Sequence, residues 1–238
     1  WYPMGGMGKV VDAFVRVAEK NGVELRCNAN VRRIVVENGK AVGVETERGV
    51  ERADLVVAGA DYHHVDQHLL SEEHRGYTER YWDKRTMAPS GLLFYLGFDR
   101  ELPDLDHHTL FFDESLDQHS AEIYDNPAWP SKPLFYTSCA SKTDPSVAPA
   151  GQENMVILIP IAPGLTDETA TRERYYHMVM ERLGKHLGFD PRPHVVVKRS
   201  YSINDLQADY NAYRGNAYGM ANTLSLIHIS EPTRQAEI

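Results

Sequence analysis

The sequence predicts an α/β fold for the first 61 residues and an α+β fold with an antiparallel sheet for the rest of the 238-residue chain. Two observations predict this. In the first block a Gly-rich turn opens an amphipathic helix, a two-residue turn joins two strands, and an apolar run closes the block. In the second block several strand-like segments follow one another before a long helical segment, an order typical of α+β proteins.

The first predicted helix follows the Gly-rich turn at residues 5–8 and ends at Asn21-Gly22, which supplies a C-terminal stop. Its apolar residues recur at offsets of three and four, and this spacing places them on one stripe of a helix. The stripe consists of Val10, Val11, Phe14, Val15, Val17 and Ala18.

A hairpin is predicted around Asn38-Gly39, because both residues tolerate the positive φ angles of a two-residue turn. Its strands are at residues 32–37 and 40–46, and a further short strand is expected at residues 23–27. The run at residues 55–58 is apolar without alternation, which is typical of a strand covered on both faces.

The second block contains segments that alternate with clusters of Pro, Gly and Asp, and these clusters bound the predicted elements. Thr166 is expected to cap the long helix and Gly188 to end it. The predicted elements are helices at 62–70 and 77–85, strands at 90–98, 109–112, 134–139 and 155–161, the long helix to about residue 187, a strand at 195–197 and a helix at 204–213.

Composition excludes several classes of protein. A formal net charge of -9 without a basic stripe argues against nucleic-acid binding. Cys27 and Cys139 lie far apart and predict no disulfide framework, so the expected compartment is the cytoplasm. The apolar run at 155–159 is too short to cross a membrane. The adjacent histidines at 63–64 and 107–108 point in diverging directions, and no metal site is expected.

The order of the motifs resembles the phytoene desaturase family of carotenoid desaturases, within the wider amine-oxidase-like flavoproteins. The matching segments are the Gly-Gly-x-Gly turn at 5–8, Val-x-x-Ile at 31–34, Ala-Asp-x-Val-Val at 53–57, and segments at 89–92, 143–151 and 211–218. The resemblance implies that residues 1–61 are part of a Rossmann-like FAD-binding domain. It also implies that residues 62–223 form a substrate domain for a polyisoprenoid and return toward the FAD domain.

A complete member of the family would contain a Gly-x-Gly-x-x-Gly turn after an early strand and a Gly-rich flavin signature near its C-terminus. The sequence contains neither, so we expect an internal fragment that is inactive by itself. Residues 224–234 resemble the conceptual translation of a transposase-type sequencing adapter. Residues 224–238 are therefore predicted to be a non-native tail; the alternative is a natural amphipathic tail.

The resemblance implies an FAD-dependent oxidoreductase that desaturates a long polyisoprenoid such as phytoene in carotenoid biosynthesis, with quinone or oxygen as electron acceptor. Because such a hydrocarbon is almost insoluble in water, the enzyme is expected to lie on the membrane surface, with Leu105 or residues 110–112 as candidate rim residues. The alternatives are a carotenoid isomerase, a retinol-saturase-like enzyme, a carotenoid oxygenating relative or an amine oxidase. A non-catalytic fragment that binds an apolar ligand is a further alternative.

The resemblance also implies the residues that contact the cofactor. The backbone of Val31 pairs with the adenine, and Ala58, Gly59 and Ala60 line the adenosine side. For these small residues the alternative is tight packing between a strand and a helix.

The turn that opens the first helix is expected near the flavin ring, through Gly5 and Gly6. The substrate tunnel is assigned to Met4 and Met7 beside this turn, and to the apolar strands, including Phe94 and Phe135. For the glycines the alternative is a helix-entry turn, and for each strand residue it is ordinary sheet core. The catalytic acid or base is left unassigned.

Overall fold

The structure, a computed structural model, describes residues 2–221, and the predicted non-native tail lies outside these residues. The described chain forms a three-stranded sheet and a five-stranded sheet, both antiparallel. The helices are α1 (Gly8–Lys20), α2 (Tyr62–His64, continued by a π-helical turn at Val65–Leu69), α3 (Glu79–Asp83), α4 (Leu116–Tyr124), α5 (Thr169–Leu187) and α6 (Ile203–Tyr210). The strands are β1 (Val31–Glu37), β2 (Lys40–Thr46), β3 (Gly49–Arg52), β4 (Ser90–Phe98), β5 (His108–Phe111), β6 (Phe135–Ser138), β7 (Glu153–Ile161) and β8 (Val195–Tyr201).

The smaller sheet confirms the predicted hairpin and adds β3, which the sequence interpretation missed. Asn38 and Gly39 join β1 to β2 with φ angles of 50° and 74°. In β2, Gly43 has a φ of 156°, and a Cβ there would lie 2.2 Å from the carbonyl oxygen of Glu51 on β3. A side chain at this position would therefore collide with the neighbouring strand.

Two strand predictions in the first block are wrong. Residues 23–27 are irregular, with Val23 and Leu25 about half exposed. Residues 55–58 pair with no strand of the described chain, and Leu55 and Val57 are 76% and 83% exposed. Burial on both faces requires neighbouring elements, and the described chain places none there. The apolar stripe of α1 is exposed for the same reason, with Phe14 at 72%.

The larger sheet has the strand order β5-β6-β7-β4-β8 and confirms the predicted antiparallel sheet. Helix α5 packs on one face of it, where alternate residues of β4, β6 and β7 are buried. This core includes Leu92, Phe94, Leu96 and Phe98 from β4, Met155, Ile157, Ile159 and Ile161 from β7, and Tyr175, Tyr176, Val179, Met180 and Leu183 from α5. The opposite face, which we call the cavity face, displays the intervening residues.

Helix α5 ends at Gly188 as predicted, with a left-handed φ of 75°. It begins at Thr169, three residues after the predicted cap at Thr166. The delay has a cause in Asp167, whose carboxylate accepts hydrogen bonds from Arg172 Nε at 2.7 Å and from the backbone N–H of Asn204 at 2.9 Å. The segment before the helix is thus fixed to the start of α6 rather than wound into α5.

Candidate functional site

A cavity of about 810 Å³ lies against the cavity face of the larger sheet. Its walls come from three parts of the chain: the segment before α2, the middle of β4 and β7, and the region from β8 to residue 219. The lining residues include Gly59, Ala60, Asp61, Tyr62, Leu93, Tyr95, Leu158, Pro160, Tyr201, Leu206, Tyr210, Asn216 and Tyr218. Among them Asp61 bears a carboxylate, and most of the others are apolar or aromatic.

The strand register aligns one residue from each strand in a row across the cavity face. Successive members are directly opposite each other on neighbouring strands, so their side chains project to the same side. The row runs through Leu110, Tyr136, Leu158, Leu93 and Tyr201. It forms a mostly apolar wall as wide as the five-stranded sheet.

A smaller cavity of about 170 Å³ continues this wall toward β5 and shares Leu158 and Pro160 with the larger one. Three apolar side chains at its border are exposed, namely Leu110 at 62%, Phe112 at 60% and Leu116 at 56%. The expected rim residues therefore fall into an exposed group and a buried group. Leu110 and Phe112 face outward, whereas Leu105 and Phe111 are 7% and 9% exposed and belong to the core.

Asp61 connects the segment before α2 to a segment about 150 residues later. Its Oδ1 accepts the backbone N–H of His64 at 3.1 Å, which caps α2. Its Oδ2 accepts the backbone N–H of Tyr213 and the side-chain amide of Asn216, both at 3.2 Å. Ser90 Oγ also donates to the carbonyl oxygen of Gly215 at 2.5 Å. These bonds position two walls of the larger cavity.

Aromatic side chains surround α2 beside this cavity. Tyr62 contacts Tyr77 and Trp82 edge-to-face, with ring centroids 6.0 Å and 5.2 Å away. Burial and a hydrogen bond with Tyr77 raise the pKa of Tyr62 to about 12, so this side chain is neutral at physiological pH. His63 stacks on Tyr213 at a centroid distance of 3.9 Å.

Two of the residues assigned to the adenosine side, Gly59 and Ala60, line the larger cavity, and Ala58 directly precedes them. A Cβ built on Gly59 would meet no atom within 4 Å, so the backbone here is open to a ligand. Val31 begins β1 opposite Thr46 and is not among the residues lining the cavity. Two of the residues assigned to the adenosine side thus lie at an open cavity, and their contact with a nucleotide cofactor stays a prediction.

The turn before α1 lies against a loop of the larger sheet. The backbone N–H of Gly5 donates to Asp144 Oδ2 at 2.5 Å, and a Cβ on Gly6 would lie 3.7 Å from Val147. Hydrogen bonds from Ser146 and from the backbone of this turn keep the pKa of Asp144 below its usual range. Gly5 and Gly6 have φ angles of 90° and 93°, which glycine adopts without strain.

Met4 and Met7, on the same turn, are 63% and 62% exposed. They are not among the residues that line either cavity described above. Their assignment to the end of a tunnel therefore stays a prediction.

Two predicted tunnel residues are corrected by the structure. Phe94 is 1% exposed and contacts Tyr176 of α5 edge-to-face at 5.6 Å. Phe135 is 3% exposed, stacks on Phe111 at 4.3 Å and lies under the guanidinium of Arg182. Both side chains point to the α5 face because they occupy the buried positions of their strands.

The residues of these strands that face the cavities are their neighbours, which the sequence interpretation included in the proposed tunnel without separating the two faces of the sheet. Leu93 and Tyr95 flank Phe94 on β4, and Tyr136 follows Phe135 on β6. The period of two in a strand was a usable signal, but both faces of these strands carry apolar residues, and sequence alone does not tell the two faces apart.

Among residues 2–221, no group of three or more His, Cys, Asp or Glu side chains is arranged to bind a metal ion. In the same residues, no helix combines the length and the apolar character needed to span a bilayer. Cys139 is buried and Cys27 is exposed, and both are free thiols.

Comparison with known proteins identifies a family that this chain matches. The family model of flavin containing amine oxidoreductases matches residues 1–233, a range that includes most of the predicted tail. Carotenoid 3,4-desaturase from Haloarcula japonica is 38% identical over 237 residues, covering 99% of this chain and 48% of that protein. A 1-hydroxycarotenoid 3,4-desaturase from Flavobacterium sp. is 29% identical over 228 residues, covering 93% of this chain and 45% of that protein.

Among solved structures, an oxidoreductase from Methanosarcina mazei superimposes with a TM-score of 0.61 at 20% identity, covering 84% of this chain and 43% of that one. At this identity the likeness shows the fold alone, a mixed helix and strand architecture shared with an oxidoreductase. The chain spans about half the length of the curated relatives it matches.

Proposed function

The chain belongs to the family of flavin containing amine oxidoreductases, and from this premise we propose that it supplies the substrate-binding part of an FAD-dependent enzyme. The proposed reaction is the desaturation of a long polyisoprenoid, such as phytoene or a partly desaturated carotene, in carotenoid biosynthesis. The resemblance to the phytoene desaturase family that the motifs indicated agrees with relatives that are themselves named as carotenoid desaturases. The family model makes the cofactor a flavin, and its identity as FAD is part of the proposal.

The observation that carries the proposal is the cross-strand row on the cavity face. Leu93 and Leu158 lie at its centre, in a cavity of about 810 Å³ that Gly59 and Ala60 also line. A long apolar molecule fits such a wall because burial of its surface is favourable without specific polar partners. The lining also contains tyrosines such as Tyr62, Tyr95 and Tyr218, whose rings can pack along a hydrocarbon.

Desaturation removes a hydride and a proton from neighbouring carbon atoms, so it requires alignment in a dry slot more than many polar groups. When bound, the flavin supplies the acceptor for the hydride. Residues 58–60 would approach its adenosine side, Val31 its adenine and the turn at Gly5-Gly6 its ring. The residues of the row would hold and orient the hydrocarbon and exclude water.

Two relatives are named for the 3,4 position of a carotenoid, and one of them for a hydroxylated carotenoid. This supports a reacting bond near one end of the substrate. An isomerase or saturase of the same superfamily is the alternative activity, and the same wall would serve it. Quinone or oxygen is proposed as the electron acceptor.

We further propose that the whole protein is cytoplasmic and peripheral to the membrane. The exposed apolar side chains Leu110, Phe112 and Leu116 border the smaller cavity and would reach the bilayer, from which the substrate must come. The division at residue 61 into an FAD-binding part and a substrate part stays a proposal as well.

A chimera tests the activity. Residues 2–221 replace the matching part of the Haloarcula japonica carotenoid 3,4-desaturase, and the purified protein is incubated with carotenes in liposomes. We expect a bound-flavin spectrum and a red shift of the carotenoid absorption as conjugated double bonds are added. A folded, flavin-loaded chimera that leaves every polyisoprenoid unchanged would contradict the proposal, and a folded chimera without flavin would contradict the cofactor assignment.

A further inference from the structure

We propose that His108 and Tyr136 form a subsite for a hydroxyl group on the substrate. This inference deepens the proposed function and rests on it. The two side chains join neighbouring strands at one border of the apolar wall: His108 Nδ1 lies 2.5 Å from the Tyr136 hydroxyl oxygen, and the rings are stacked with centroids 5.8 Å apart.

The position of the pair is the first argument. Tyr136 belongs to the cross-strand row, between Leu110 and Leu158, and lines the smaller cavity. The row also contains Leu110, Leu158 and Leu93 from β5, β7 and β4 and, on β8, Tyr201, whose hydroxyl donates to Asp209 at 2.9 Å. A phenol hydrogen-bonded to an imidazole is therefore a polar feature set directly in an apolar wall, reachable by a ligand that lies along the row.

The chemistry of the pair selects a hydroxyl. If the Tyr136 hydroxyl donates its proton to His108 Nδ1, its oxygen still accepts a hydrogen bond from a ligand. If Nδ1 is the donor, the hydroxyl of Tyr136 still donates to a ligand oxygen. An alcohol satisfies either arrangement because it both donates and accepts. A carbonyl satisfies only the second arrangement, and a hydrocarbon satisfies neither.

Ring contacts link the pair to the chain just before the turn at Gly5-Gly6. The ring of His107 lies 4.3 Å from that of His108 and 4.6 Å from that of Tyr2, measured between centroids. Tyr2 precedes the turn at Gly5-Gly6, which the proposed function places beside the flavin ring. These ring contacts thus lead from the pair to Tyr2, three residues before Gly5.

The test measures binding by the complete 238-residue chain in detergent micelles, followed by the shift and quenching of protein and carotenoid spectra. The probes are lycopene, 1-hydroxylycopene and lycopene with a terminal aldehyde. We expect wild type to bind 1-hydroxylycopene about tenfold more tightly than lycopene, as one net hydrogen bond allows. The aldehyde should fall between the two.

Tyr136→Phe removes the hydroxyl and keeps the ring, so the preference should fall to about onefold while the affinity for lycopene is retained. Tyr124→Phe is the matched control, since Tyr124 at the end of α4 is 50% exposed and lines neither cavity, and it should keep the tenfold preference. His108→Phe should reduce the preference as Tyr136→Phe does.

Equal affinities for the alcohol and the hydrocarbon in wild type would overturn the inference, and so would a preference that survives in Tyr136→Phe. Either result leaves the proposed function intact, because a polyisoprenoid still binds. Failure of all three probes to bind would instead overturn the proposed function and the inference with it.

Discussion

Leu93 and Leu158 lie directly opposite each other on β4 and β7 and face the larger cavity, whereas Phe94 and Ile157, the next opposed pair, lie in the core beneath α5. Adjacent residues on either strand thus face opposite sides of the sheet, one on the cavity face and the other in the core. Substitutions on the two faces should have different consequences.

The first prediction compares neighbours on β7. Ile157→Ala should lower the free energy of unfolding by about 2–5 kcal/mol, because it leaves a hole in a closely packed core. Leu158→Ala should cost less than about 1 kcal/mol, since its side chain borders an open cavity. Urea denaturation followed by circular dichroism measures both, and equal losses would show that the two faces are not distinguished in this way.

The second prediction concerns acid stability. Although burial raises the pKa of Asp167, hydrogen bonds from Arg172 and Asn204 lower it below its ordinary value. A lowered folded-state pKa contributes stability that is fully present above the unfolded-state pKa, about 4, and is lost as pH falls through the folded-state value. Wild type should therefore lose stability as the pH falls below about 4.

Asp167→Asn should cost about 2 kcal/mol at pH 7, because it removes one of the two carboxylates, those of Asp167 and Asp205, that pair with the largely buried guanidinium of Arg172. It should also flatten the decline below pH 4. Asp54→Asn, on an exposed side chain, is the control and should change neither. Thermal unfolding at a series of pH values measures the effect, and parallel wild-type and Asp167→Asn profiles would refute it.

The third prediction separates the two thiols. Burial, with a smaller contribution from Glu153, raises the pKa of Cys139 to about 12, whereas Cys27 is exposed. A colorimetric disulfide reagent at pH 8 should react with one thiol per folded chain and two per denatured chain. Cys27→Ser should abolish the reaction of the folded protein. Rapid reaction of the folded Cys27→Ser variant would contradict the buried position of Cys139.

The fourth prediction concerns the exposed apolar stripe of α1 and the segment at 55–58. Phe14 and Val57 are 72% and 83% exposed, so the chain by itself should self-associate through these surfaces. Phe14→Glu with Val57→Glu should raise the monomer fraction in light scattering without lowering the melting temperature. Phe98→Glu, at a fully buried control position, should unfold the protein. If the double variant aggregates as much as wild type, other surfaces must be responsible for the association.

Local signals predicted much of the fold. The hairpin at Asn38-Gly39, the strand β4 and the end of α5 at Gly188 follow from turn chemistry and periodicity, which depend on neighbouring residues only. The segment at 55–58 could not be placed in this way, because burial of a strand depends on elements that its own sequence does not describe. Helix α4 was missed because its apolar stripe is weak and its stability comes from contacts such as His119 with the carbonyl of Pro160.

The candidate site was predicted less well than the fold. Gly59 and Ala60, which the family resemblance singled out, line the larger cavity, and their contact with the cofactor stays a prediction. Phe94 and Phe135 were assigned to the wrong face, because β4 and β6 carry large apolar groups on both sides. The row through Tyr136 depends on strand register, which joins residues from 22 to 108 positions apart.

The central claim is that the cavity face of the five-stranded sheet binds the polyisoprenoid. Its most direct test is the affinity of the 238-residue chain for lycopene in micelles, measured for wild type, Leu93→Gln, Leu158→Gln and the control Val50→Gln on the smaller sheet. Each substitution in the row should weaken binding at least about tenfold, since it places an unpaired amide in an apolar wall, whereas Val50→Gln should bind as wild type does. Wild-type affinity in both Leu93→Gln and Leu158→Gln, with the melting temperature unchanged, would contradict the claim.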